Sequence, residues 1–348
     1  MRYVATKFTK RLESRRVRHA TQDRERVLLL PLSFGISSVA LLHLLDSHLQ
    51  SQRARNHRTG FALHVLHIIS PDDDLPSPAP ELLDRLQARY IHHRFSSVPL
   101  ADILEQDALE LLQSCGLPIP VDDGSSNEKR LQGIFSSLPS STSRVDVLGI
   151  LRTRLVVRFA KAHECESILW GDTTTRLAEK TLAETAKGRG YSLPWHTADG
   201  VTPFGLAFHY PLRDLMKKEL LDYADLTTPA LSSLNVVQAP SSQLLPSSKN
   251  SSIDYLMTQY FASVEESYPS IVANVVRTSG KLKVPETTAG EIICSLCGMP
   301  VASGLSGLHG WGGDQEQAAT RRLQAESGAP AEALLCYGCS RATLGARR

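Results

Sequence analysis

The stretch VLLLPLSFGISSVALLHLLD, residues 27–46, decides the fold. Its first six residues are apolar without a break and of strand length. A strand covered on both faces shows such a run instead of alternation. SFGISS follows at 33–38, and VALLHLLDSHL then repeats at helical spacing. Strand, turn and helix in that order cradle an anion, because turn and first-turn N–H groups converge and the helix dipole adds to them. Gly35 supplies conformational freedom, and Ser33, Ser37 and Ser38 supply hydroxyls. The same residues also serve as an ordinary helix N-cap, so the turn alone decides nothing about chemistry.

Outward from this stretch, strand-like and helical segments alternate. FALHVLHII (61–69), HRFSSV (93–98), SILW (167–170) and 208–211 read as strands. Segments 81–90, 101–115, 145–163, 173–187 and 214–226 carry helical spacing. Strands separated by helices of this length predict a parallel α/β sheet with crossovers. Two stretches, 117–143 and 229–252, read as irregular; eight Ser and two Pro between 231 and 252 mark the second as a linker or insertion. The resulting division is a basic N-terminal helix (1–26), an α/β domain (27–228), the Ser/Pro-rich insertion (229–252), a helical segment (253–290) and a cysteine module (291–348).

Bulk properties narrow the class. The chain has 348 residues, 42% of them hydrophobic, and a net charge of +2. It is long enough for a large core plus an appendage. No apolar run is long enough to span a bilayer, so no membrane partner is expected. The opening MRYVATKFTKRLESRRVR is basic without an apolar core or cleavage site, which favours the cytosol over secretion, with a mitochondrial transit peptide as the rival. Charge is uneven: residues 1–26 hold nine Lys or Arg against three acids, among them Lys7, Lys10, Arg11, Arg15, Arg16 and Arg18. Such a cluster suits nucleic-acid phosphates and equally a solvated helix face. Lys187 and Arg189, with Gly188 and Gly190, form a basic turn that suits an RNA backbone. Gly171 and Asp172 follow a strand end, where open α/β sheets place ligands, and Gly-Asp is also an ordinary turn. Arg152, Arg154, Arg158 and Arg213 fit phosphate contacts or ion pairs, with structure favoured for Arg158 and Arg213.

Four of the six cysteines form two C-x-x-C pairs, Cys294/Cys297 and Cys336/Cys339. Four thiolates suit tetrahedral Zn²⁺ at about 2.3 Å, and glycine in or after each turn lets amides approach sulfur. A redox site wants a single pair beside a βαβ unit, so structural zinc is the expectation. The 38 residues between the pairs exceed the usual spacing, and the glycine-rich SGLSGLHGWGGDQEQ is expected to loop out with His309 as a loop residue. Cys115 and Cys165 stand alone; the latter lies between Glu164 and Glu166, a setting that disfavours thiolate, and both read as buried structural cysteines.

The turn after the first strand resembles the pyrophosphatase loop of N-type ATP pyrophosphatases, Ser-Gly-Gly-x-Asp-Ser. Ser33, Gly35 and Ser38 match, while Phe34 stands for the first glycine and Ser37 for the aspartate. A Phe near the phosphate path and a missing carboxylate both weaken ATP cleavage and leave ATP binding doubtful. RYVATKFTKRLESRRVR (2–18), RVDVLGILRTRLVVRFAKAHECESILWGD (144–172), WGDTTTRLAEKTLAETAKGRGYSLPWHT (170–197) and FHYPLRDLMKKEL (208–220) are similar, in order, to blocks of the cytoplasmic tRNA 2-thiolation protein 2 family.

That resemblance implies an α/β parallel sheet with flanking helices of the PP-loop/HUP type, extended by a C-terminal zinc-knuckle module. It also implies a heterodimer with a catalytic PP-loop homologue that thiolates the wobble uridine of cytosolic tRNAs. In that reaction ATP adenylates the uracil C2 oxygen, and sulfur from a thiocarboxylated ubiquitin-related carrier displaces AMP. The catalytic relative carries a cysteine before its central helix, where this chain reads Ser-Arg-Val-Asp-Val-Leu-Gly (143–149). On this reading the chain has no catalytic residue, Ser33, Gly35, Ser37, Ser38, Gly171 and Asp172 line the vestigial nucleotide site, and tRNA is a partner. Two alternatives stay open: an autonomous ATP-dependent tRNA sulfurtransferase, and a zinc-bearing adaptor without an RNA role.

Overall fold

The computed structural model describes residues 1–13, 26–70, 80–104, 109, 112–117, 126–234, 251–284, 293–301 and 334–344. The strands are β1 (Val27–Pro31), β2 (Ala62–Ile69), β3 (Arg94–Pro99), β4 (Ser167–Leu169), β5 (Gly200–Val201) and β6 (Ala207–His209). They form one sheet in the order β3-β2-β1-β4-β6-β5. All pairings are parallel except the short β5–β6 pair at one edge. β1 sits centrally, with Leu29 opposite His64 on one side and Ile168 on the other.

The period-2 geometry of a strand sends alternate residues of β1 to opposite layers. Leu28 and Leu30 join a core with Leu63, Val65 and Leu169. Leu29 joins the other core with Leu66, Ile168 and Phe208. Leu29 and Leu30 are wholly buried, worth roughly 2 kcal/mol each relative to exposure.

The first core receives the helices α1 (Arg2–Glu13), α2 (Ile36–Asn56), α3 (Pro80–Arg89) and, further along the chain, Lys217–Leu226. α2 buries ten residues from Ile36 to Leu49, which is why its sequence shows hardly any polar stripe. α4 (Asn127–Ser137), α5 (Ser141–Ala162), α6 (Thr174–Ala186) and the short α7 (Leu193–Thr197) follow in the chain. α8 is the Lys217–Leu226 helix, and α9 (Ile253–Ser267) and α10 (Pro269–Ser279) pack against α6. The last described helix is α11 (Tyr337–Thr343).

Several expectations change in detail. The 117–143 stretch contains α4, which is N-capped by Ser126 accepting from Lys129 N, and buries Leu131, Ile134 and Phe135 at helical spacing. A 3-10 turn, Leu100–Leu104, stands at the start of the expected 101–115 helix. The helical segment after 252 is two helices, because Pro269 ends one run and opens the next. Most of the 229–252 insertion lies outside the described residues. No helix among the described residues is long and apolar enough to cross a membrane.

Candidate functional site

In an open α/β sheet the ligand crevice lies beyond the carboxyl ends of the strands where the winding reverses. Here that point falls between β1 and β4, so the turns after them face each other. A methyl group on Gly171 would come within 3.2 Å of Ser38 Cα and 3.3 Å of its amide nitrogen, so the two turns pack backbone to backbone.

The β1 turn is built as an anion cradle with one altered member. Gly35 caps α2 without any side-chain oxygen, which leaves first-turn amides available to an outside acceptor. Ser38 Oγ donates to Gly35 O at 2.9 Å and lies 3.3 Å from Ser33 Oγ, so the hydroxyls are largely engaged within the turn. Phe34 takes a φ of 56°, the left-handed region where the family loop has glycine. Its ring does not lie in the phosphate path, as the sequence suggested. It is wholly buried and meets His67 edge-on at 4.7 Å. The left-handed backbone thus survives without glycine, and the ring is turned into the core. Ser37 still offers no carboxylate for Mg²⁺.

The opposite wall carries Asp172. Its carboxylate is paired with Lys180, two turns along α6, which also lies 5.7 Å from the Trp170 ring centroid. Thr173 caps α6 by accepting from Arg176 N at 3.2 Å. This wall is closed on itself electrostatically: Asp172 is neutralised by a cation from the helix that follows it.

The second constellation is made of sulfur. Cys294, Cys297, Cys336 and Cys339 bring their Sγ atoms within 4.8 Å of one another. Cys294-Ser-Leu-Cys297 turns tightly, with Cys294 N donating to Met299 O at 2.9 Å and Gly298 N to Cys294 O at 2.8 Å, and Gly298 at a φ of 74°. Cys336 caps α11, its sulfur accepting from Cys339 N at 3.5 Å. Ser295 N donates to Leu334 O at 2.8 Å and joins the two turns.

Cys297 and Cys336 sulfurs are 3.9 Å apart. A tetrahedron with metal–sulfur bonds of about 2.3 Å has edges of about 3.8 Å, so the spacing fits one ion. A four-iron cluster would hold its thiolates farther apart, since irons and sulfides lie between them. Hydrogen bonds from Cys297, Cys336 and Cys339 hold the Cys294 thiol far down. Cys336 is also lowered, the bond to Cys294 opposing and those to Cys297 and Cys339 prevailing. Cys297 and Cys339 are pushed up, first by their bonds with Cys294.

These cysteines are not a separate module with a core of its own. They share a hydrophobic cluster with Leu131, Ile134 and Phe135 of α4, Leu151 and Leu155 of α5, and Trp195. Arg154 of α5 donates to Leu296 O at 2.5 Å and to Ser295 O, fastening the first turn to the α/β body.

A family model described as cytoplasmic tRNA 2-thiolation protein 2 matches residues 252–341, the stretch that contains α9, α10 and all four clustered cysteines. A protein of that description from Phaeosphaeria nodorum is 52% identical over 343 residues, covering 98% of this chain and 87% of that protein. This chain belongs to the cytoplasmic tRNA 2-thiolation protein 2 family. A relative of the same description from Pyrenophora tritici-repentis is 48% identical, with the same coverage of 98% and 87%. Among solved structures, the U34-tRNA thiolase NcsA from Methanococcus maripaludis, described with its [4Fe-4S] cluster, superposes with a TM-score of 0.55. The match covers 87% of this chain and 85% of that one at 15% identity, which establishes likeness of fold alone. The fold is of the PP-loop type expected.

Against that family background, the basic residues separate. Lys10 is exposed on α1, and Lys7 donates to Asp214 O at 3.0 Å. Arg11 is paired with Asp199. Arg15, Arg16 and Arg18 lie outside the described residues, as does His309. Lys187 and Arg189 depart from expectation. Their side chains are only 7% and 3% exposed. Lys187 Nζ reaches Asp146 at 3.0 Å, Glu184 at 2.6 Å and Asp254 at 3.3 Å. Arg189 grips both oxygens of Asp146, one at 2.8 Å, and reaches Glu184 at 3.2 Å. A buried, ion-paired cation cannot meet an RNA backbone, so the turn is an internal ion cluster.

The sequence reading passed over Asp146, Glu184 and Asp254; Glu184 stands one helical turn before Lys187, whereas Asp146 and Asp254 lie 41 and 67 residues away along the chain and leave no local signal. It also passed over Lys180. Arg158 and Arg213 are structural, donating to Asp102 O at 2.6 Å and to Thr197 O and Val276 O at 2.6 and 3.0 Å. Cys115 and Cys165 are buried, and burial pushes the Cys115 thiol up to about 11 and raises Cys165 as well. Neither is a ready nucleophile.

Proposed function

We propose that this chain is the non-catalytic subunit of a cytoplasmic complex that 2-thiolates the wobble uridine of tRNA. It pairs as a heterodimer with a catalytic PP-loop homologue, which takes sulfur from a thiocarboxylated ubiquitin-related carrier. The observation that carries this reading is the turn after β1: an anion cradle at the switch point, with Phe34 buried in the glycine position and Ser37 in the carboxylate position. ATP adenylation of a uracil oxygen needs Mg²⁺ held against the phosphates, and carboxylates normally do this. Ser33, Gly35, Ser37, Ser38 and Gly171 line a turn whose amides suit phosphate oxygens but which places no carboxylate for Mg²⁺, and Asp172 is held by Lys180. Family membership across nearly the whole chain supports the tRNA thiolation setting.

The chain's own contributions follow from its residues. Lys10, with Arg15, Arg16 and Arg18 outside the described residues, meets tRNA phosphates. The four cysteines hold a structural Zn²⁺ that fixes the C-terminal turns against α4 and α5. An autonomous sulfurtransferase would need a reactive thiol at the crevice, and the two cysteines outside the cluster are buried with raised pKa. A zinc adaptor without an RNA role would not bind tRNA.

Co-purification with the catalytic homologue, followed by thiouridine measurement with and without this subunit, tests the proposal. It predicts a stable pair and thiouridine only from the pair. Undiminished thiouridine from the homologue alone would remove the proposed role. Neutralising Lys10, Arg15, Arg16 and Arg18 together should weaken tRNA binding and flatten its salt dependence by about one unit of slope per lost phosphate contact.

A further inference from the structure

We propose that Arg189 is the positioning residue of the tetracysteine centre, holding the Cys339 sulfur from the α/β side and retaining the bound metal. The inference rests on the reading of the four cysteines as a metal site.

Four thiolates around a divalent ion carry a net charge of −2, and here they are buried: Cys294 and Cys339 are wholly inaccessible. A buried charge needs a nearby opposite charge and hydrogen bonds. Among the described residues, the guanidinium groups of Arg154 and Arg189 reach this region. Arg154 spends its donors on the carbonyls of Ser295 and Leu296. Arg189 Nη2 stands 3.6 Å from Cys339 Sγ, at hydrogen-bonding distance for sulfur. The guanidinium is itself locked by the fork on Asp146 and by Glu184, so it is aimed, not merely near.

The backbone is shaped for this approach. A methyl group on Gly338, inside the Cys336-Tyr-Gly-Cys339 turn, would fall 2.7 Å from Arg189 Cγ and 2.8 Å from Lys187 O. Only glycine lets the turn settle onto the arginine stem. Arg189 therefore occupies the place of an outer-shell partner, which in metal sites orients a ligand and tunes its donation to the ion. The basic turn singled out in the sequence as an RNA contact becomes the electrostatic seat of the metal centre.

The test uses the full chain. Metal content of the unaltered protein is measured first; absence of metal would defeat the metal-site reading itself. With metal present, Arg189→Met should speed its loss to a competing chelator by roughly 10-fold or more. In the Co²⁺-substituted protein it should also shift the thiolate-to-cobalt charge-transfer band, because the sulfur has lost a hydrogen bond. Lys187→Met is the control: it damages the same ion cluster without touching sulfur, and should leave the band in place. A band unmoved by Arg189→Met, or moved equally by both variants, would overturn the proposal. Should Arg189→Met fail to fold, Arg189→Lys keeps the charge but cannot span Asp146 and the sulfur together. Its band must then differ from the unaltered protein's, and an identical band and release rate would overturn the proposal.

Discussion

Phe34 shows how much can hang on one backbone angle. A left-handed conformation costs a non-glycine residue about 1–2 kcal/mol, yet the ring is wholly buried against His67. Deleting a buried Phe side chain costs roughly 3–5 kcal/mol. Phe34→Gly should therefore relieve the strain and still destabilise the protein by roughly 2 kcal/mol in urea unfolding. It should release no pyrophosphate from ATP, since Ser37 remains without a carboxylate; a stabilised variant would mean the ring contributes little. The sequence made the match of Ser33, Gly35 and Ser38 legible. It could not show that Phe34 keeps glycine's conformation while turning inward, because φ is not written in residue type.

Titratable residues give a second prediction at this scale. Burial lowers both His64 and His196 from 6.5 to about 4. Each is kept neutral in the folded chain while the unfolded chain takes up protons, so stability should fall as pH drops from 6.5 towards 4. Glu184 is lowered from 4.5 to about 2, burial opposing and Lys187 and Arg189 prevailing. Its contribution is complete above 4.5 and is lost as pH falls towards 2. Glu184→Gln should shrink this lower window in chemical-denaturation curves taken across pH and, by removing a charge that raises His196, deepen the loss on the histidine side too. Stability that stayed level between pH 6.5 and 4 would contradict the histidine assignments.

Among the elements, the carboxylate of Glu265 joins Asp254 in tying the helical segment to the sheet domain. Glu265 of α9 accepts from Lys218 N at 3.1 Å at the start of α8 and from Thr175 Oγ1 of α6 at 2.7 Å. Thr175 in turn accepts from Lys217 N at 3.1 Å. Glu265→Ala should cost about 1 kcal/mol, the usual loss for a helix cap, and raise hydrogen exchange in the first turn of α8. Unchanged exchange there would show that the cap is idle. The strands and long helices were legible because apolar spacing encodes them directly. α4 was hidden: Leu131, Ile134 and Phe135 have helical spacing, but the serines around them read as loop. The two-residue β5 exists only through its pairing with β6 and leaves no periodic trace.

The whole molecule is a PP-loop-type sheet sealed at one side by its C-terminal cysteines. The two C-x-x-C pairs that form the cysteine cluster were legible from their spacing. The sequence set 291–348 apart as a module, and linear distance hides that both pairs return onto α4, α5 and Arg189. Stripping the metal should therefore do more than free a tail. Thermal unfolding with a chelator present should begin at lower temperature, with proteolysis first near Leu334 to Leu344; an unchanged transition would mean the cysteines hold no stabilising ion.

The central claim is that this PP-loop-type chain has no chemistry of its own. Supplying the purified chain, without its homologue, with ATP, Mg²⁺, substrate tRNA and thiocarboxylated carrier tests it most directly. The account predicts no pyrophosphate above background and no 2-thiouridine. Stoichiometric release of pyrophosphate with thiouridine formed on the tRNA would contradict it.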